Sequence, residues 1–161
     1  MQFFRLIVIA CLLALPMGVN AQGAQIAFGN VKQDTTQPVE VTADNLAVNQ
    51  NDGTAVFTGN VLIGQGEMRL SAPRVQVYYS ESGKRIERMK ASGGVTIVSG
   101  EDAAEAANAD YSIDSGLIQL QGDVLLVQGQ SALTAERMNI DTKSGTAQMQ
   151  GRVKTVLQTN E

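Results

Sequence analysis

Apolar and polar residues alternate with a period of two along most of the chain, which indicates β-strands rather than helices. The alternation recurs in a unit that is present four times, and each copy contains the motif Gly-x-Val. The glycines of the four motifs are 34, 29 and 29 residues apart. A repeat of this length is typical of one supersecondary unit that stacks on its neighbours. The motifs are Gly59-Asn60-Val61, Gly93-Gly94-Val95, Gly122-Asp123-Val124 and Gly151-Arg152-Val153.

A short polar turn precedes each Gly-x-Val strand, so each copy is predicted to be a β-hairpin. The phase of the alternation agrees between copies, which predicts a sheet with one apolar face and one solvated face. Strict alternation places the four glycines on the apolar face, where a missing side chain permits a bend or a bulge. The turns are Asn51-Asp52-Gly53, Ser82-Gly83, Asp114-Ser115-Gly116 and Lys143-Ser144-Gly145.

The strands that enter these turns also carry a signal. At Asp44-Asn45, Pro73-Arg74 and Glu136-Arg137 the alternation shifts by one residue, which predicts a β-bulge or a hinge between two short strands. A proline at this point supports the interpretation, because proline cannot donate a hydrogen bond to a neighbouring strand. The third copy, residues 103–113, is irregular and rich in alanine, so a turn of helix competes with a strand there.

The first 21 residues have the pattern of a secretory signal peptide. Arg5 precedes the apolar run 6–15, and small residues lead to a predicted cleavage between Ala21 and Gln22. The apolar run is shorter than the roughly 20 residues that span a membrane. A lipid anchor on Cys11 is the alternative, but this residue lies inside the apolar run rather than at its end. We therefore expect an exported protein.

Composition then limits the chemistry. Without residues 1–21 the chain has 140 residues, no Cys and no His, and 11 basic against 16 acidic residues, a net charge of −5. This excludes an imidazole base, a thiolate nucleophile and an ordinary zinc site, and the acidic balance gives no reason to expect nucleic acid. We predict a protein that is not an enzyme, with no catalytic or metal site and no cofactor. The predicted organisation is a flexible segment 22–33, one domain 34–158 and a short tail 159–161.

Two charged clusters leave alternatives open. Glu101-Asp102 with Glu105 suits a cation site or half of a glycosidase pair, and equally a solvated loop. A carboxylate-dependent hydrolase therefore remains a competing hypothesis. Lys84-Arg85, Arg88 and Lys90 suit an anionic ligand, and equally a hairpin whose charges face water.

The predicted apolar face is made of Val, Ile, Leu, Met and Ala, with Phe57 as its only aromatic residue. Small and flexible apolar side chains can line a groove that another molecule occupies. A plain sandwich core explains the same pattern, because alternation reports burial without showing what the buried face contacts. The residues alone leave both interpretations open.

Four segments resemble the OstA-like family of periplasmic lipopolysaccharide transport proteins, which comprises LptA, LptC and the N-terminal domain of LptD. They are residues 34–44 (with Gln37-Pro38-Val39), 56–61 (with Thr58-Gly59-Asn60-Val61), 72–75 and 152–157. The resemblance extends from about Asp34 to Leu157. It implies an all-β fold, a twisted V-shaped antiparallel β-jelly roll of about sixteen short strands, consistent with four hairpin repeats.

The resemblance also implies a function. Members would hold the acyl chains of lipopolysaccharide between the two sheets and associate head to tail in the periplasm. With an LptC-like inner-membrane protein and an LptD-like outer-membrane protein they would bridge the two membranes for outer-membrane assembly. The alternative is a structural or adhesive exported β-repeat protein with a filled core and no lipid ligand.

Site residues follow from matching the motifs. Thr35, Val39 and Val41 correspond to the family's first strand, whose inward side faces the lipid. Together with the alternation this implies that the lipid-binding interior also includes Phe57, Val61, Ile63, Val95, Leu120, Val124 and Met149. The edges that meet the next module would contain Val39 and Val41 at one end and Val153, Thr155 and Leu157 at the other.

Overall fold

The computed structural model describes residues 25–28 and 36–157. Every regular element in these residues is a β-strand, and none of them is a helix long and apolar enough to cross a membrane. The predicted signal peptide 1–21, its cleavage site at Ala21 and Gln22, Thr35 and the tail 159–161 lie outside the described residues. The strands are β1 (Gln25–Ala27), β2 (Glu40–Thr42), β3 (Asn45–Asn49), β4 (Thr54–Gln65), β5 (Met68–Tyr79), β6 (Ile86–Ser99), β7 (Asp102–Ser112), β8 (Leu117–Gln128), β9 (Ser131–Asp141), β10 (Thr146–Gln150) and β11 (Lys154–Val156).

All strand pairs are antiparallel and form one 11-stranded sheet in the order β1-β10-β9-β8-β7-β6-β5-β4-β2, with β3 also paired to β4 and β11 to β9. From β4 to β10, strands that are consecutive in the chain are neighbours in the sheet. The four predicted polar turns join β3 to β4, β5 to β6, β7 to β8 and β9 to β10. The prediction of an all-β antiparallel fold built from hairpin repeats is confirmed.

A row of bulges crosses this sheet at the Gly-x-Val motifs. In β4, Gly59-Asn60 lies opposite the single residue Pro73 of β5, because Thr58 pairs with Arg74 and Val61 pairs with Ala72. The same two-against-one pairing recurs between β6 and β7 and between β8 and β9. The entering strands, for which a one-residue phase shift is predicted, thus contribute the single residue that lies opposite each two-residue bulge. This bulge row contains Asp44, Gly59-Asn60, Pro73, Gly93-Gly94, Ala107, Gly122-Asp123, Glu136 and Gly151-Arg152.

The expectation that the motif glycines face the interior is wrong. A Cβ on Gly122 would lie 2.8 Å from the Cβ of Ala107, whose side chain is exposed, so the missing side chain points to the outer surface. Strict alternation fails here because both bulge residues have positive φ, 85° at Gly122 and 47° at Asp123. Glycine adopts such a φ without strain, and Asp tolerates it better than most residues.

The bulge row divides the sheet into two limbs. We call the part that contains β1, β3 and β10 the first limb, and the part that contains β2 and β11 the second limb; each of β4 to β9 contributes to both. Apolar residues of the two limbs belong to a single buried cluster, so the sheet bends at the bulges and folds its apolar face onto itself. This arrangement is consistent with a jelly roll and places the core between the limbs.

The third repeat is a strand, so the competing interpretation as a turn of helix is wrong. β7 covers the alanine-rich segment and pairs along its length with β6 and β8. Ala104, Ala106, Ala109 and Tyr111 point inward and are buried. Because neighbouring strands on both sides supply partners for its backbone, pairing outweighs the weak strand propensity of alanine.

The predicted flexible segment 22–33 also differs from the structure. It contains β1, which pairs with β10 at the edge of the first limb, and Phe28, which is 4% exposed and belongs to the core cluster. This strand is too short to show a period of two, since it is only three residues long, and it precedes the first repeat.

The bulge geometry predicts a specific stability effect. Gly129 has φ +57° with open space around its Cβ position, so Gly129→Ala should cost only the backbone strain, about 1–2 kcal/mol. Gly122→Ala adds the overlap with Ala107, and should cost a further ~1–3 kcal/mol. Equilibrium unfolding in urea measures both values. An equal loss in the two variants would show that the close contact in the bulge row is unimportant.

Candidate functional site

The interior between the limbs collects most of the predicted lipid-binding residues. Val61, Ile63, Val95, Leu120, Val124 and Met149 all point inward and are 0–2% exposed. Val39, Val41 and Phe57 are partly buried and pack against the same cluster. The structure therefore brings together every predicted interior residue that it describes.

The interior is closed rather than open. The hydroxyl of Tyr111 in the first limb donates a hydrogen bond to Oε1 of Gln65 in the second limb at 2.6 Å. Both side chains are buried, at 1% and 2% exposure, and burial raises the pKa of Tyr111 above the ordinary tyrosine value. Since β4 and β7 are not neighbours in the sheet, this contact crosses the core and joins the two limbs.

One end of the core opens at the edge formed by β2 and β3. Val41 of β2 lies opposite the buried Ile63, so its side chain faces inward. Leu46 and Val48 of β3 lie opposite Phe57 and Ala55 on the same face, yet they are 56% and 62% exposed. These two side chains form an apolar mouth. Neither residue was assigned to the site from the sequence, although the alternation of apolar and polar residues in β3 was a signal that could have identified both as facing one side of the sheet.

The other end of the second limb is formed by β11. Thr155 lies opposite the buried Leu133, which places it on the inward face, and alternation places Val153 and Leu157 on that face too. Val153 and Leu157 are 40% and 66% exposed. Within the described residues β11 pairs only with β9, and β2 and β3 pair only with β4. Of the predicted module-edge residues, Val41 and Thr155 thus lie on outermost strands of the sheet, and Val39, Val153 and Leu157 are directly adjacent to these strands.

The charged clusters lie on the outer surface. Arg88 Nε donates to Asp110 at 2.7 Å, a pairing that raises the pKa of Arg88, and Arg85 bonds Asp114 at 2.7 Å. These contacts pair both arginines of the basic cluster with carboxylates of the same chain, which favours the solvated-hairpin interpretation. No group of three potential metal ligands occurs among the residues that the structure describes.

The acidic cluster also lies at the protein surface. Glu101 and Glu105 are exposed, and Asp102 accepts a hydrogen bond from Nε2 of Gln128 at 2.9 Å. Asp102 and Glu105 lie within the regular strand β7 rather than on a loop. Their geometry gives no support to a pair of catalytic carboxylates.

Comparisons with known proteins agree with this architecture. The family model described as "LptA/(LptD N-terminal domain) LPS transport protein" matches residues 40–146. The chain is 26% identical over 108 residues to an uncharacterized protein of Rhizobium meliloti (strain 1021), covering 63% of this chain and 58% of that protein. It is 30% identical over 76 residues to the lipopolysaccharide export system protein LptA of Escherichia coli (strain K12), covering 46% of this chain and 41% of that protein. The chain thus matches about half the length of these relatives.

The fold has been seen in a solved structure. LptH of Pseudomonas aeruginosa, described as the LptA homologous periplasmic component of the conserved lipopolysaccharide transport device, superposes with a TM-score of 0.70. The match covers 79% of this chain and 99% of LptH, with 19% sequence identity. At this identity the comparison shows a shared fold.

The contact between the limbs predicts a pH dependence. The folded state holds the phenolic proton of Tyr111 more tightly than the unfolded state does. The contribution of Tyr111 to the free energy of unfolding is therefore fully present below the ordinary tyrosine pKa near 10 and is lost as the pH rises above it. Tyr111→Phe should cost about 1 kcal/mol at pH 7, through the lost hydrogen bond, and should flatten the alkaline decline. Denaturant unfolding between pH 7 and pH 11 measures both effects.

The matched control is Tyr78→Phe, whose ring is only partly buried and has Lys90 Nζ 5.7 Å from its centroid. This change should alter stability at pH 7 by less than about 0.5 kcal/mol. The proposed effect of Tyr111 is wrong if Tyr111→Phe retains the alkaline decline of the unmodified protein.

Proposed function

The chain belongs to the family of LptA and LptD N-terminal-domain lipopolysaccharide transport proteins, and on that premise we propose that it is a periplasmic lipopolysaccharide-binding transport module. The observation that supports this best is the continuous apolar face, which runs from the exposed mouth at Leu46 and Val48 through the core to β11. The acyl chains of lipopolysaccharide would occupy the space between the limbs, in contact with Thr35 and the inward residues named above. The resemblance to a family of transport proteins also supports a role without enzymatic activity.

Binding requires the limbs to separate, because their inward side chains already fill the core. Burial of an acyl chain is worth about 0.8 kcal/mol per methylene, so a twelve-carbon chain gains roughly 10 kcal/mol on leaving water. This gain offsets the limb–limb contacts that are lost on opening. Val, Leu, Ile, Met and Ala side chains suit the exchange, since they contact an acyl chain as readily as one another.

Release into water would cost the same energy, so transfer must occur between apolar interiors. A lipid that slides from one module into an equivalent neighbour changes its environment little, and each step is nearly neutral. No energy source is visible in this site, so net direction must come from partner proteins. We propose an LptC-like inner-membrane protein and an LptD-like outer-membrane protein as the two ends of the bridge.

Head-to-tail association provides the continuous path. Successive strands from β4 to β9 are antiparallel, and β2 and β11 are each antiparallel to the strand they join. A second copy placed beyond β11 would therefore present its β2 antiparallel to β11. Exposed edge strands normally invite aggregation, and here they would join modules by strand addition.

The filled interior favours a second candidate, a structural or adhesive exported β-repeat protein whose limbs never open. This alternative predicts no lipid bound after native purification and no elongation with increasing concentration. Native mass spectrometry of the protein with added lipopolysaccharide distinguishes the two candidates.

A charge in the interior should block lipid binding. With a photo-crosslinking side chain at Val41, lipopolysaccharide should crosslink to the protein, and Leu120→Asp or Val124→Glu should reduce the crosslink to background, because an acyl chain cannot solvate a carboxylate. The control is Gln119→Asp, which adds the same charge to an exposed outward position of β8. Leu46→Asp at the exposed mouth avoids damage to the core and should also weaken the crosslink. Unchanged crosslinking in all three interior or mouth variants, each confirmed as folded by circular dichroism, would contradict the proposed site.

The module junction can be tested by disulfide formation between copies. Thr42 of β2 and Val156 of β11 both lie on the outward face, next to inward Val41 and Thr155. Mixing a Thr42→Cys protein with proteins carrying cysteine at Lys154 or Val156 should give oxidised heterodimers. Replacing Thr42→Cys by Val41→Cys puts the two thiols on opposite faces of the joined sheet, and should give none. Equal yields from both combinations would argue against an ordered β2–β11 joint.

A further inference from the structure

The two limbs do not end alike at the C-terminal edge. The second limb ends at β11, whose outer side pairs with no other described strand. The first limb would end at β10, but β1 pairs with the outer side of this strand. The pairing joins Gln25 to Gln148, Ile26 to Ala147 and Ala27 to Thr146. The beginning of the chain therefore covers an edge at its far end.

The sequence of β1 resembles that of β3. Each segment begins with a residue that has an amide side chain, followed by a large apolar residue, an alanine and another large apolar residue. The segments are Gln25-Ile26-Ala27-Phe28 and Asn45-Leu46-Ala47-Val48. In β1, Ile26 lies opposite the inward Ala147, and Phe28 is buried in the core; in β3, Leu46 and Val48 lie on the inward face. The two segments thus present the same pattern to the interior.

Strand direction strengthens the likeness. β3 is antiparallel to β4, and β1 is antiparallel to β10; the alternation along the sheet makes β4 and β10 parallel to each other. β1 and β3 consequently run in the same direction. A second copy added beyond β10 would bring its β3 to the position that β1 occupies, in the orientation that β1 has.

The presence of β1 also conflicts with a joint through both limbs. It makes the first limb one strand longer than the second, a step of about 4.8 Å between neighbouring strands. A second copy that pairs its β2 antiparallel to β11 would meet β1 with a β3 that runs parallel to it. Both limbs continue as antiparallel sheets only when β1 leaves β10.

The contacts of β1 are few enough to be exchanged. It has three paired residues, whereas β3 and β10 each have five, and Met149 and Gln150 of β10 are not covered by it. Two further hydrogen bonds hold this segment, from Gln128 Nε2 to the Ala27 carbonyl at 2.7 Å and from the Phe28 N–H to the Gly145 carbonyl at 3.0 Å. Its apolar contacts with the core come from Ile26 and Phe28. A five-residue strand can pair with more of β10 than β1 does.

We infer that β1 is an intramolecular substitute for β3 of a second copy. It covers the β10 edge in the isolated protein, and β3 of the next copy displaces it when modules join. The inference rests on the proposed head-to-tail association and states how that association is regulated. The joint at β11 is always available, whereas the joint at β10 requires β1 to leave. The apparent affinity between copies is then the intrinsic affinity multiplied by the fraction of molecules in which β1 has left β10.

A reversible lock tests the inference. Ala27 and Thr146 are direct partners, so the pair Ala27→Cys and Thr146→Cys should form a disulfide that holds β1 on β10. The oxidised protein should associate at least about tenfold more weakly than the same protein after reduction, measured by sedimentation equilibrium over a range of concentrations. The control is Thr146→Cys alone, which cannot lock β1 onto β10. Reductant should change its association only by breaking disulfides between copies, and gel electrophoresis detects those disulfides.

A release variant gives the opposite change. Ile26→Asp combined with Phe28→Asp should free β10 and strengthen association at least about tenfold. Adding Val48→Asp in β3 should abolish this gain, which separates ordered joining from non-specific aggregation of an open edge.

The outcomes separate this inference from the proposed function. If copies associate but neither the lock nor the release changes their affinity, β1 has no such role, and head-to-tail association stands. If the release variant also remains monomeric at every concentration, both the inference and the proposed association are wrong.

Discussion

The structure depends on the close approach of a backbone to a side chain along the bulge row. At each Gly-x-Val motif the glycine lies against one residue of the preceding, adjacent segment of the sheet: Asp44, Pro73, Ala107 or Glu136. Two residues on one strand face one residue on the next, so the sheet bends at the same level in every hairpin. Because the bends are aligned, the apolar face folds onto itself and forms one core. Without this alignment the chain would be an extended sheet with one apolar side in water.

The ends of the bulge row carry polar contacts that its centre lacks. Asn60 Nδ2 donates to Asp44 at 2.8 Å at one end, and Arg152 Nε pairs with Glu136 at 2.9 Å at the other. In the centre the single residues are Pro73 and Ala107, which offer no polar side chain. The polar pairs each have one partner between two short strands near an edge of the sheet: Asp44 between β2 and β3, and Arg152 between β10 and β11. We infer that they help to hold the bulge geometry where sheet pairing alone supports it less.

The sequence predicted the features that follow from period and phase. Alternation in phase identified the inward residues from Phe57 to Met149, and the shift at Pro73-Arg74 located the bulges. It failed where conformation breaks the period: two successive positive φ angles turn Gly122 away from the face that alternation assigns to it. It also failed where partners decide the structure, because β1 is too short to have a period and the alanines of β7 are strand-forming only between β6 and β8. Contact between the limbs depends on the three-dimensional fold, and no local sequence pattern predicts it. The hydrogen bond between Tyr111 and Gln65 shows this contact.

The closed interior and the open edges both follow from the way in which the fold hides a large apolar surface from water. A carrier of acyl chains needs an apolar surface, and such a surface exposed to water would favour aggregation. Folding the limbs together hides most of it, and the most exposed inward side chains that the structure describes are Leu46 and Val48 at the mouth and Val153 and Leu157 beside β11. Unpaired strand edges are the remaining hazard, and β1 covers one of them with the chain's own residues. A joint that replaces β1 by β3 exchanges one strand pairing for a similar one, so its net free energy is small compared with that of either pairing. Such an exchange lets modules join and separate, whereas an always-open edge at both limbs would favour irreversible growth.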